Sequence, residues 1–127
     1  MATSAAELVA EAKNRVDNLD VDAVAREIAD GALVVDLREE AERRKTGAIP
    51  GSVHVPRGLL EFKADPSAPT HLAALDPARR TVLYCAAGSR SALAVVTLAD
   101  LGYTDVAHLD GGMQAWGDAG RPTEPAD

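Results

Sequence analysis

Three short apolar runs constrain the fold of this chain more than any other feature. They are ALVVD (32–36), TVLY (81–84) and DVAHL (105–109). None alternates apolar with polar, as a half-solvated strand would. Continuous runs of this length suit parallel strands buried on both faces. Helical patterns lie between them, so the expected class is α/β around a mostly parallel sheet of four or five strands flanked by helices. Ligands in such sheets bind beyond the carboxyl ends of the strands. Asp36 and Cys85 fall at such ends.

The helical patterns are legible from caps and spacing. Residues 4–16 read as a helix, with Ser4 and Glu7 at capping-box spacing and Leu8, Ala12 and Val16 on one face. Asn18 and Leu19 break that run. Asp20 or Asp22 caps a second helix carrying Val21, Val24, Ala25 and Ile28, and Gly31 stops it. REEAERRKTG reads as a solvated turn or short helix. A short strand at 52–55 sits between turns shaped by Gly47, Pro50 and Gly51. Residues 58–80, with Pro66, Pro69 and Pro77, form a long excursion that is helical around 70–75. A helix over 90–101 is apolar nearly all round and should pack on the sheet. Gly111-Gly112 turns the chain into a last helix anchored by Trp116. The expected division is a helical extension (1–19), one domain (20–120) and a polar, frayed tail (121–127).

Charge and cysteine content narrow the function. Thirteen Lys and Arg against 20 Asp and Glu give a net charge of −7, which argues against nucleic acid or an anionic membrane as partner. One Cys allows no intrachain disulfide, and three His with it offer no compact zinc spacing. No metal or cofactor is implied. The start of the chain lacks a basic region leading into an apolar one, and no 18-residue window is apolar throughout, so a cytoplasmic location is expected.

VLYCAAGSRSALAVV is the most informative segment. It reads as strand, Cys85, a small-residue loop, then Arg90 at a helix start. Ala86, Ala87, Gly88 and Ser89 let the backbone curl so that successive amides face inward as an anion nest. The helix N-terminus adds positive potential, and Arg90 adds a cation. Such a field favours the thiolate, which is the nucleophilic form. Two plainer readings stand beside this one. A single Cys is often simply a core residue, and the nest could bind phosphate without chemistry.

Four segments in order resemble the single-domain rhodaneses, a family of sulfurtransferases on a small α/β fold. They are VVDLRE (34–39), GAIPGSVHVP (47–56), YCAAGSRS (84–91) and LDGGMQAW (109–116). PRGLLEF (56–62) resembles a variant recurrent among bacterial members. The resemblance implies a persulfide cycle. Cys85 would take the sulfane sulfur of thiosulfate or of a persulfide or polysulfide donor, then pass it to cyanide, a small thiol or a protein acceptor. Residues 86–90 would hold the anion, with Arg57 as a second cation. Ala48 stands where the family often has His. Asp36 would accept backbone or Arg hydrogen bonds, and Arg38 would pair with Glu42 to hold the turn. His54 and His108 would be hydrogen-bonded structural residues. Two rival classes are a non-catalytic, protein-binding module of the same fold, and a phosphatase or arsenate reductase. The second rival typically has a Cys-x5-Arg loop, whereas four residues separate Cys85 from Arg90 here.

Overall fold

The computed structural model describes residues 2–126. Five parallel strands form one sheet in the order β1-β5-β4-β2-β3. They are β1 (Asp17–Leu19), β2 (Leu33–Asp36), β3 (Val53–His54), β4 (Thr81–Tyr84) and β5 (Val106–Leu109). The helices are α1 (Ala5–Lys13), α2 (Val21–Ala29), α3 (Glu40–Thr46), α4 (Leu60–Ala64), α5 (Ser89–Asp100) and α6 (Gly112–Asp118). None of the described helices is long and apolar enough to cross a membrane.

Every residue of β2 and β4 is buried, as their unbroken apolar runs require. Side-chain direction alternates along a strand, so each run feeds two cores. Leu33, Val35 and Leu83 pack with Leu60 and Ala64 of α4 and Ala94, Val95 and Leu98 of α5. Val34, Val82 and Tyr84 pack with Val24 of α2 and Met113 and Trp116 of α6. The parallel register sets Asp36 opposite Tyr84. The ends of β2 and β4, and hence Asp36 and Cys85, therefore share one edge of the sheet.

The expected caps are present. Ser4 and Glu7 close a capping box on α1, and the Asp20 side chain accepts from Ala23 N–H at the start of α2. Three expectations are corrected. Asn18 and Leu19 do not merely break the chain between helices: with Asp17 they form β1, paired to β5. The helix of the excursion lies at Leu60–Ala64, before the prolines, rather than at 70–75. Prolines remove donors and restrict the residues before them, and residues 70–75 turn tightly instead, burying Leu75. The described part of the tail is held, not frayed, through Pro122 and Glu124, and Asp127 lies outside the described residues. Ala48 and Glu124 exchange two backbone hydrogen bonds of 2.8 and 2.9 Å, and Trp116 Nε1 donates to Pro122 O at 2.8 Å. Polar residues carry the same backbone donors and acceptors as any others, and these found partners.

Candidate functional site

Cys85 follows the last residue of β4, and its loop is gripped from behind. The first amides of α6 donate to the loop carbonyls, Met113 N to Cys85 O at 2.8 Å and Gln114 N to Ala86 O at 3.0 Å. Gly112 makes this approach feasible. A Cβ there would lie 2.5 Å from Cys85 O, and its φ is +60°. With these carbonyls turned toward α6, the following amides turn toward the sulfur. Gly88 N donates to Sγ at 3.2 Å, from a residue whose φ of +104° caps α5.

Cys85 is fully buried. Burial pushes its thiol pKa up. Hydrogen bonds to the ionised sulfur from the Ser91 hydroxyl and from the amides of Ser91, Gly88 and Ala87 outweigh that, and the thiol sits below its ordinary value. The donors around the sulfur are therefore Ala87, Gly88 and Ser91. Of the residues singled out in the sequence, Ala87 and Gly88 turn their amides to the sulfur, Ala86 offers its carbonyl to α6, and Ser89 and Arg90 open α5. Ser91, outside the expected set, supplies both a hydroxyl and an amide. Its signal was its place on the first turn of a helix that starts at the loop.

Ser91 continues into a buried polar chain. Its Oγ lies 3.5 Å from Cys85 Sγ and 2.8 Å from His108 Nδ1. His108 Nε2 lies 2.6 Å from Asn18 Oδ1. Burial holds the His108 pKa below its ordinary value, with Lys13 adding to that and Asp110 and Asp17 opposing it.

The cations are arranged otherwise than the sequence implied. Arg38 is paired with Asp36, not with Glu42: Nε and Nη2 donate to the two Asp36 oxygens at 3.0 and 2.9 Å. Arg38 also donates to Thr46 Oγ1 and Gly47 O, both at 2.7 Å. Arg43 Nε and Tyr84 Oη complete the shell of Asp36 at 3.0 and 2.9 Å. Burial pushes the Asp36 carboxyl up, but the hydrogen bonds from Arg38 and Tyr84 outweigh it and keep it below its usual value. Arg38 precedes α3, so helical i, i+4 spacing does not apply to it. Glu42 lies on the first turn of α3 and instead holds Arg90 through two bonds of 2.8 and 2.9 Å. The Arg90 guanidinium pulls the Glu42 carboxyl down to about 2. Arg57 is not brought to the loop. It donates to Glu61 at 2.9 Å and to Thr97 Oγ1 at 3.2 Å, and Thr97 lies about 12 Å along α5 from Ser89. His54 is hydrogen-bonded to Arg38 O at 2.6 Å. Ala48 is buried and carries the tail bridge.

A cleft of about 490 Å³ opens beside the loop, lined by Arg38, Glu42, Lys45, Ala86, Gln114 and Thr123 among others. It lies beyond the strand carboxyl ends, between α3 and α6. Among the described residues no cluster of His, Cys, Asp and Glu could hold a metal ion.

Comparison with known proteins agrees with this architecture. The family model of the rhodanese-like domain matches residues 10–119. A probable adenylyltransferase/sulfurtransferase, MoeZ of Mycobacterium tuberculosis, is 35% identical over 83 residues, covering 65% of this chain but only 19% of that protein. A solved structure from Rhodopseudomonas palustris, RPA3614, is 36% identical with a TM-score of 0.91, covering 98% of this chain and 96% of its own. That protein is described as of unknown function and a possible tyrosine phosphatase. A thiosulfate sulfurtransferase from Pseudomonas aeruginosa is 28% identical with a TM-score of 0.76, covering 97% of this chain and 23% of its own. With its five-stranded parallel sheet and its cysteine loop closed by a Gly-Gly turn, the chain belongs to the rhodanese-like domain family.

Proposed function

We propose that this chain is a sulfurtransferase that carries sulfane sulfur on Cys85. One observation supports the reading above others: Gly88 N–H at 3.2 Å and Ser91 beside it act on a sulfur at the end of a parallel strand, in a loop with four residues between Cys85 and Arg90. The Cys85 thiolate attacks the outer sulfur of thiosulfate. The sulfur–sulfur bond of the donor breaks, sulfite leaves with its electron pair, and Cys85 holds a persulfide anion. Charge is conserved, since a monoanion and a dianion go in and come out. The loop amides and the positive end of α5 offset the anion throughout. A nucleophilic acceptor, cyanide or a thiolate, then attacks the terminal sulfur and regenerates the Cys85 thiolate. Donor access requires atoms above the buried sulfur to part, and the paired Arg90 and Glu42 are the charged groups beside it. A cytoplasmic setting fits this reading, because a lone thiol persists where thiols are kept reduced.

The test is intact-mass measurement after incubation with thiosulfate, a polysulfide or a persulfide donor. Wild type should gain the mass of one sulfur atom and lose it to cyanide. Cys85→Ser should gain nothing, because its hydroxyl is too weakly acidic to replace the thiolate. Uptake from none of the three donors would end the sulfurtransferase reading and leave a binding module of the same fold. A phosphatase reading draws only on the description of the Rhodopseudomonas relative. Hydrolysis of an aryl phosphate, lost in Cys85→Ser, would establish it.

A further inference from the structure

We propose that Ser91 and His108 form a buried proton relay for Cys85, in which His108 holds the proton that the thiol gives up. This rests on the reading of Cys85 as nucleophile and assigns a positioning role to His108, a residue outside the loop. Asn18 sets the direction of the hydrogen-bond chain. Its Nδ2 donates to Lys13 O at 2.8 Å and to Val16 O at 3.2 Å. Those two carbonyls fix the amide orientation, because a flipped amide would set oxygen against oxygen. Asn18 Oδ1 therefore faces His108 and accepts the Nε2 proton over 2.6 Å. A neutral imidazole with its proton on Nε2 presents a bare lone pair at Nδ1. That lone pair accepts the Ser91 hydroxyl proton over 2.8 Å, closer than the alternative acceptor, Gly88 O at 3.3 Å. With its proton so committed, Ser91 Oγ accepts from the Cys85 thiol over 3.5 Å.

The chain is therefore directional, from sulfur through hydroxyl to ring nitrogen. When Cys85 ionises, its proton passes to Ser91 Oγ and the Ser91 proton passes to His108 Nδ1. One S–H bond breaks and one N–H bond forms. The hydroxyl is neutral before and after, but it has turned from acceptor to donor toward the sulfur. The product is a thiolate and an imidazolium in one buried site, with no net charge added. This matters because Cys85 and His108 are both fully buried, and an unpaired buried charge is costly. Along the cycle the anion persists on sulfur, so the imidazolium persists opposite it.

The fixed surroundings on balance disfavour the charged ring, so in this relay the thiolate is the charge that holds it. Burial disfavours the imidazolium, Lys13 from α1 opposes it, and Asp17 of β1 and Asp110 beyond β5 support it. Lys13 and Asp110 also pair with each other at 3.1 Å. Arg90 is the other charged group acting on Cys85.

Two measurements test the relay, and neither needs a sulfur donor. The first follows the His108 ring nitrogens by NMR against pH in wild type and in Cys85→Ala. The relay predicts that removing the thiol lowers the His108 titration by about one pH unit or more, a tenfold change in protonation. The second is the rate of Cys85 alkylation by iodoacetamide against pH. Ser91→Ala should move the inflection upward by about one unit, with ~10-fold less thiolate at neutral pH. Ser91→Thr, which keeps the hydroxyl, should restore much of it. His108 titrations that coincide in wild type and Cys85→Ala would overturn the relay. So would a Ser91→Thr inflection matching Ser91→Ala. A chain that takes no sulfur but shows the linked titrations would retain the relay and lose the sulfurtransferase reading.

Discussion

Gly112→Ala is the sharpest probe of how the loop is built. The new Cβ would lie 2.5 Å from Cys85 O and 2.6 Å from both C and O of Ala86. All three are backbone atoms and cannot swing aside. The φ of +60° at this position adds roughly 1–2 kcal/mol for any residue with a Cβ. Overpacking adds roughly 1–3 kcal/mol, so the expected loss is about 2–5 kcal/mol. For a domain of this size that lowers Tm by roughly 10 °C or more. Gly51→Ala is the internal control, with a φ of +79° and nothing within 4 Å of the added Cβ. It should lose only the conformational part, about 1–2 kcal/mol. Calorimetry separates the two contributions. The chemical readout is iodoacetamide alkylation against pH. Pushing the loop off α6 frees the carbonyls of Cys85 and Ala86, so the amides no longer stay turned on Sγ, and the thiol inflection should rise toward the ~8.5 of a free cysteine. If Gly112→Ala melts within about 2 °C of Gly51→Ala and keeps the wild-type inflection, the claim that close backbone approach shapes the nest is refuted.

Three further outcomes follow from the polar groups around the site. Glu42→Gln frees Arg90 for an incoming anion, so KM for thiosulfate should fall several-fold with kcat less affected, read in steady-state assays; an unchanged or higher KM would count against Arg90 as an anion contact. In wild type the Glu42 pKa is lowered from 4.5 to about 2, so its contribution to stability is complete above about 4.5 and is lost as pH falls toward about 2. Both side chains are about a third exposed, which limits that contribution to roughly 0.2–1 kcal/mol, and Glu42→Gln should flatten the acid limb of denaturation by that amount. Tyr84→Phe deletes a buried hydroxyl that bonds Asp36 Oδ2 at 2.9 Å, Ile49 N at 3.1 Å and Ser52 Oγ at 3.1 Å. It should cost about 1–3 kcal/mol in urea denaturation while leaving the Cys85 alkylation profile in place, because Tyr84 faces the opposite side of the sheet.

What the sequence made legible follows from which residues are buried by their neighbours along the chain. β2 and β4 announce themselves because both their faces are covered. β1 does not: it is the three residues DNL at an edge, two of them exposed, and only its pairing with β5 makes it a strand. The cysteine loop was readable because Cys85, the small residues and the helix start are contiguous. The Arg90–Glu42 pair spans 48 positions, and no local spacing encodes it. The link from Ser91 to His108 and Asn18 was likewise hidden, since it depends on Asn18 and His108 standing opposite each other in a strand pair that the sequence did not reveal.

The alternation of side chains in the sheet explains how two separate polar systems serve one loop. Leu83 and Cys85 point to the α5 side, where Ser91 meets the sulfur and His108 stands behind Ser91. Asp36 and Tyr84 point to the other side, where Arg38 and Arg43 close around the carboxylate. The second system never touches Cys85, yet it fixes where α3 begins and ends, because Arg38 ties Asp36 to Thr46 Oγ1 and Gly47 O at the far end of that helix. Glu42 rides on α3, and Glu42 holds Arg90. The charge presented beside the sulfur is therefore set by a carboxylate buried on the opposite face. Weakening the Asp36 cluster should first be felt as a looser α3 and a freer Arg90, well before the nest itself gives way.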